Sequence, residues 1–250
     1  MATLSGTAGA DTLVGGVDDD QITGLGGNDQ LSGGDGNDSF LYSGYGGANN
    51  WDSTSGYDRI DGGDGTDEIR ATANGTVIGL TSITNIESIS GGGFSDVTIR
   101  GSASGEVLDF TGVTLSGVKW VMMGAGDDTV IGSSGGDTVY GDEGADSIFG
   151  GTGNDVIRMY TATSGYDDID GGDGTDRIEA TGTGAVIGLH SIRNVEVITT
   201  TLSGVTLTGS SLSDYLDFSG TTITNIVGDI RTGAGDDTIE GGIGADNLDG

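Results

Sequence analysis

The chain has no cysteine and no proline, a single histidine, and only eight basic residues among 250. The missing cysteine rules out disulfides, thiolate metal sites and a cysteine nucleophile. Eight Lys and Arg stand against 39 Asp and Glu, for a formal charge of −31. That balance lacks the Lys/Arg clusters needed to hold nucleic acid or an anionic membrane surface. No apolar run approaches the roughly 18 residues of a membrane span, so neither nucleic acid nor direct membrane insertion is expected. Met1-Ala2-Thr3-Leu4-Ser5-Gly6 lacks the basic and apolar regions of a signal peptide. If the chain is exported to an extracellular or cell-surface location, a cleaved N-terminal signal is not expected. A disulfide-free secreted chain needs another staple, and a metal ion can be one.

Glycine is abundant instead, at 53 of 250 residues. Aperiodic glycine indicates low complexity, whereas periodic glycine indicates a repeat fold. Counting nine at a time from Asp11 lands on Asp20, Asp29 and Asp38. The same frame holds at Asp58 and Asp67, at Asp128, Asp137, Asp146 and Asp155, at Asp167 and Asp176, and at Asp237 and Asp246. All fourteen nonapeptides have Asp at the sixth place and an aliphatic residue or Phe at the eighth, and thirteen have Gly at the fourth, Asp18 being the exception.

These residue types point to calcium. Glycine allows positive φ and close backbone approach, so the first six residues can form a tight turn with carbonyls facing one point. The Asp adds a charged oxygen there. Calcium takes six to eight oxygen ligands in flexible geometry, and oxygen is all that the turn offers. The last three residues suit a short strand with one side chain inward. Ordering nine backbone residues costs roughly 9–18 kcal/mol, while burying one Leu or Ile returns only about 1.5–3 kcal/mol. The repeats are therefore expected to fold only when calcium ties the turns together.

The units Gly33-Gly34-Asp35-Gly36-Asn37-Asp38-Ser39-Phe40-Leu41 and Gly150-Gly151-Thr152-Gly153-Asn154-Asp155-Val156-Ile157-Arg158 match the pattern G-G-x-G-x-D-x-U-x in full, as do 62–70 and 171–179. On these residues the chain resembles the RTX, or haemolysin-type calcium-binding repeat, family. The resemblance implies an all-β, right-handed parallel β-solenoid (β-roll) with several calcium ions in its turns. It implies 18-residue coils, so that Asp11 shares a site with Asp29, Asp20 with Asp38, Asp128 with Asp146, and Asp137 with Asp155. It leaves open the stacking partners of Asp58, Asp67, Asp167, Asp176, Asp237 and Asp246. Turns in which Thr7, Leu25, Ser133 or Asp142 replaces the second glycine, or Ser53, Met123, Ala162 or Thr232 the first, are expected to bind weakly or on one face.

A second repeat of about 109 residues runs through the chain. Ser55-Gly56-Tyr57-Asp58 returns as Ser164-Gly165-Tyr166-Asp167, and Val77-Ile78-Gly79-Leu80 as Val186-Ile187-Gly188-Leu189. The organisation read from both periods is repeat blocks at 1–41, 53–70, 123–158, 162–179 and 232–250, a loop insert at 42–52 containing Trp51, and a connector at 159–161. Two segments at 71–122 and 180–231, rich in Thr, Val, Ile and Ser, suit strands. They are expected to continue the solenoid without metal, with Thr76 and Ala185 where Asp stood. Ile78 and Ile187 are expected inward, with Ile83, Ile86 and Ile89, and their counterparts Ile192, Val195 and Ile198, in the core. A separate small β-domain is the rival reading.

Catalysis is not expected. His190 is the only histidine, its counterpart in the other copy is Thr81, and no Ser-His-Asp set can be argued from it. Each repeat carboxylate is already accounted for by the turns. Three roles remain. One is an extracellular structural or self-assembling protein of surface-layer, filament or adhesin type, partnered by calcium, by itself or by cell-surface components. Another is the calcium-triggered folding and secretion module of a type I-secreted exoenzyme or toxin. The third is a calcium buffer or sensor.

Overall fold

A computed structural model describes residues 1–44, 56–160, 165–227, 230–242 and 248–249. Among these, 29 short strands occur and no helix. The chain divides into two compact units, Met1–Ser102 with Glu106–Met122, and Ala103–Gly105 with Met123–Gly250.

In the first unit, successive strands alternate between two parallel sheets as far as Val97–Arg100, after which Val107–Asp109 lies outside both. One runs through Thr3–Ser5, Gln21–Thr23, Ser39–Tyr42, Glu68–Ala71, Ser88–Ser90 and Thr114–Ser116. The other takes Thr12–Val14, Gln30–Asp35, Asp58–Asp64, Val77–Thr84, Val97–Arg100 and Val118–Met122. The alternation follows from the nine-residue period, since each turn reverses the chain and each x-U-x triplet adds one rung. The apolar residues at the eighth place line up in register. Leu4, Ile22, Phe40, Ile69, Ile89 and Leu115 form one column, and Leu13, Leu31, Ile60 and Ile83 another. A further column is Ile78, Ile99 and Val121.

The second unit repeats this plan. Val139, Ile157, Ile178, Ile198 and Ile223 stack in one sheet. Val130, Ile148, Ile169, Ile192, Leu216 and Ile239 stack in the other. Each unit is thus a parallel β-solenoid, and segments 71–122 and 180–231 extend the sheets of the coils around them. Ile78, Ile86, Ile89, Ile187, Ile192, Val195 and Ile198 are buried as expected, and Thr76 and Ala185 are buried too. Ile83 departs from expectation. It is only half-buried, although it pairs in register with the buried Ile60.

The eight-residue strands Val77–Thr84 and Val186–Arg193 each carry a register shift. Asp58 pairs with Leu80 but Arg59 with Ser82, and Asp167 pairs with Leu189 but Asp168 with Ser191. Thr81 and His190 are the extra residues of these bulges, where an inserted residue leaves the ladder and its side chain is re-aimed. The nine-residue count is therefore broken at the same place in both copies. Of the expected loop insert at 42–52, positions 45–52 lie outside the described residues, as does Asp246.

Candidate metal centres

The repeat aspartates form columns, one carboxylate per coil. The backbone N–H of eight of them donates to Oδ1 of the aspartate one coil on. Asp11 donates to Asp29 at 2.8 Å, Asp20 to Asp38 at 2.7 Å, Asp128 to Asp146 at 2.9 Å and Asp137 to Asp155 at 2.7 Å. The four 18-residue pairs named above are thus stacked neighbours. The columns also supply the partners that sequence left open. Asp29 donates to Asp58 at 2.8 Å and Asp38 to Asp67 at 2.7 Å, across spacings of 29 that absorb the insert. Asp146 donates to Asp167 at 3.0 Å and Asp155 to Asp176 at 2.8 Å, across spacings of 21.

Four acids in these arrangements were not singled out in the sequence. Asp67 donates its N–H to Glu87 Oε2 at 2.7 Å, and Asp176 to Glu196 Oε2 at 2.6 Å. The two glutamates are 109 residues apart and close equivalent columns, where the nonapeptide count had pointed to Thr76 and Ala185. Asp214 donates to Asp237 at 3.0 Å. Asp214 and Glu106 occupy the sixth place of Gly209–Asp217 and Gly101–Asp109, two degenerate nonapeptides inside segments read as lacking them. A Gly-Ser start, an apolar residue two places after the acid, and a 108-residue spacing were the available signals.

A second ladder runs the other way through the fifth place. Asn28 Oδ1 accepts the N–H of Tyr57, Asn37 Oδ1 that of Thr66, Asp127 Oδ1 that of Ala145, and Asn154 Oδ1 that of Thr175, at 2.9–3.0 Å. Each coil therefore both gives and takes a side-chain bond with the next, which fixes the stacking register.

The outer carboxylate oxygens are the unusual feature. Oδ2 of Asp29, Asp38, Asp67, Asp146, Asp155 and Asp176 is buried and has no hydrogen-bond partner. An unpartnered buried charge is costly. The first glycine of each turn shows where these atoms point. A Cβ built on Gly33 would lie closer than 3.0 Å to both Asp38 Oδ2 and the carbonyl oxygen of Gly62 in the next coil. The same holds at Gly62 for Asp67 Oδ2 and Asn85 O, at Gly150 for Asp155 Oδ2 and Gly171 O, and at Gly171 for Asp176 Oδ2 and Asn194 O. Glycine is required there because a carboxylate and a carbonyl converge on the space a side chain would fill.

These donors fit calcium, being hard oxygens from a carboxylate and the backbone. Among the described residues no three His, Cys, Asp or Glu side chains gather into a cluster, so carbonyls must supply most of the ligands. A bound ion would satisfy the orphaned oxygens and cancel the repulsion within each column.

The electrostatics agree. Burial, the leading cause, raises the carboxyl groups of Asp29, Asp38, Asp67, Asp137 and Asp176 above the ordinary value. It pushes Asp58 and Asp146 to about 6, Asp155 to about 7 and Asp167 to about 8. Asp20 moves the opposite way, because the N–H groups of Ala2 and Gly16 bond to its carboxylate. Asp58 has another partner. The Tyr42 hydroxyl donates to its Oδ2, whereas Met159 stands at the corresponding place in the second copy.

Parallel coils with carboxylate- and carbonyl-lined turns define a metal-binding β-solenoid. A family model for the RTX calcium-binding nonapeptide repeat (4 copies) matches residues 5–40, 43–74, 124–157, 160–182 and 229–250. These spans cover more than half of the chain, which belongs to that family and is a calcium-binding repeat protein. No curated protein matches it.

Proposed function

We propose that the protein is a calcium-dependent extracellular structural protein, in which calcium folds the repeat coils and the folded coils assemble with one another or with a cell surface. The observation that carries this reading is the set of six buried Oδ2 atoms without partners. They make the coils dependent on a cation that is scarce inside cells and abundant outside. A strand edge left unpaired at the end of a solenoid is a template for pairing with another copy. Catalysis is no part of this reading. At His190, Nδ1 lies 2.8 Å from Asp168 Oδ1, and the Ser191 hydroxyl donates to that same carboxylate oxygen at 2.6 Å. The serine is thus bound to the acid and not paired with the imidazole as a nucleophile would be.

Electron microscopy and sedimentation with millimolar calcium and with chelator test the proposal. Calcium-dependent filaments or lattices are expected. A chain that folds with calcium yet stays monomeric at all concentrations would remove the assembly role.

A further inference from the structure

The repeat turns fall into two conformations that the nonapeptide pattern does not distinguish. In the first, residues at the second and fourth places are both left-handed. The pairs are Leu25 and Gly27 (φ 73° and 109°), Gly34 and Gly36 (105° and 117°), Gly63 and Gly65 (102° and 147°), Gly124 and Gly126 (105° and 117°), Asp142 and Gly144 (71° and 139°), Gly151 and Gly153 (96° and 132°), Gly172 and Gly174 (94° and 150°), and Gly233 and Gly235 (98° and 140°). Six of these eight turns are the ones whose aspartates, Asp29, Asp38, Asp67, Asp146, Asp155 and Asp176, carry the unpartnered Oδ2 atoms, and the other two belong to Asp128 and Asp237.

In the second conformation neither place is left-handed, and the N–H of the second residue turns inward onto the turn's own acid. Thr7 donates to Asp11 Oδ2 at 2.5 Å, Gly16 to Asp20 Oδ2 at 2.9 Å, Ser133 to Asp137 Oδ2 at 2.7 Å and Ser210 to Asp214 Oδ2 at 2.7 Å. Ser102 does the same to Glu106 Oε2 at 3.1 Å. Where the second residue is Thr7, Ser133 or Ser210, its hydroxyl also accepts the N–H two residues on, at 3.0–3.2 Å. This local side-chain bond favours the turned-in form. The Asp20 turn has glycine at its second place but Asp18 at its fourth, where the open turns use φ values that are essentially confined to glycine.

We propose that the second and fourth residues gate calcium entry, so that the self-capped turns of Asp11, Asp20, Asp137 and Asp214 are closed to metal while the left-handed turns are open. In both forms the carbonyl of the next coil stands at the first glycine. Gly33 O faces Asp20, Gly150 O faces Asp137 and Thr232 O faces Asp214. What differs is the N–H. It fills the oxygen lone pair the cation needs and sets a positive dipole in the cation's place. Two expectations from the substituted turns therefore separate. Leu25 and Asp142 adopt the left-handed form and keep their turns open, while Thr7 and Ser133 close theirs. The proposal rests on the calcium reading of the family and names which turns that reading applies to.

Native mass spectrometry of the calcium-loaded full chain counts the ions. Asp155→Asn, in an open turn, should hold one ion fewer than the wild type. Asp137→Asn should hold the same number, since its amide oxygen can still accept the Ser133 N–H and keep the turn. Ser133→Gly, with Gly135 already at the fourth place, should hold one more. Circular dichroism in calcium checks that each variant is folded. The gate is overturned if Asp137→Asn loses an ion as Asp155→Asn does, or if folded Ser133→Gly gains none. A wild-type chain that takes up no calcium would overturn the underlying calcium reading instead, and the wild-type count shows which has failed.

Discussion

The blocks 53–70 and 162–179 and the segments 71–122 and 180–231 build the same coils by different means. Among the described residues, each of these blocks buries two apolar side chains, Ile60 and Ile69 in one and Ile169 and Ile178 in the other. Segment 71–122 buries thirteen, from Ala71 to Met122 and including Phe110, and segment 180–231 buries twelve, including Phe218. Each block buries as many carboxylates as apolar side chains, Asp58 and Asp67 in one and Asp167 and Asp176 in the other, with Asp67 and Asp176 each keeping an unpartnered oxygen, whereas the segments bury mostly hydrocarbon. On the calcium-dependent folding proposed above, one backbone plan is held together by an external cation in one region and by its own core in the other.

The largest test of this contrast is calcium removal. Each site should contribute roughly 4 kcal/mol when calcium is about a thousandfold above its Kd. On chelation, hydrogen exchange should therefore accelerate first and most in Gln30–Tyr42, Asp58–Ala71 and Val156–Ala180. The buried strands Val97–Arg100 and Thr206–Gly209 should stay protected longer. Uniform loss of protection along the chain would show that segments and blocks form one cooperative unit.

Core truncation sharpens the comparison from the other side. Phe110→Ala and Phe218→Ala should each cost about 3–5 kcal/mol, with or without calcium, because both side chains are fully buried within the segments. Ile69→Ala should cost about 2–5 kcal/mol in calcium and little in chelator, where its coil is already loosened. Thermal melts under both conditions distinguish these outcomes.

The smallest effect is on pH dependence. Asp146, Asp155 and Asp167 are raised by burial to about 6, 7 and 8. An acid whose folded pKa exceeds its unfolded value binds protons more readily when folded. Its contribution to stability is complete below the unfolded value of 3.8 and is lost as pH rises through the folded one. The metal-free second unit should therefore melt at progressively lower temperature from about pH 4 to pH 8. With calcium the slope should reverse, since the ion requires the deprotonated carboxylates. Parallel pH series in calcium and in calcium-free buffer measure both slopes.

Much of this molecule is legible from its period. The frame from Asp11 located thirteen of the fourteen counted acids among the described residues, and the eighth-place residues became the stacked apolar columns. The frame does not carry through the bulges at Thr81 and His190. A strand can absorb an extra residue there because the hydrogen-bond ladder resumes one position later. Glu87 and Glu196 close the columns beyond Asp67 and Asp176 across spacings of 20, two more than a pair of nonapeptides, so no nine-residue count reaches them.

Residue type and spacing by themselves determined the nine-residue period, the short strand in each unit and the oxygen-only character of the turns, because each is a local pattern repeated in register, and the solenoid with its coil of two nonapeptides followed from the resemblance that this pattern carries. Only the tertiary structure decided which carboxylates lie exposed to a cation and which are capped. That outcome depends on the direction of one N–H in each turn, set by the φ angles at its second and fourth residues. Gly16 shows the limit of a local reading. It is a glycine in the consensus place, yet its N–H faces Asp20 because Asp18, two residues on, does not take the left-handed turn.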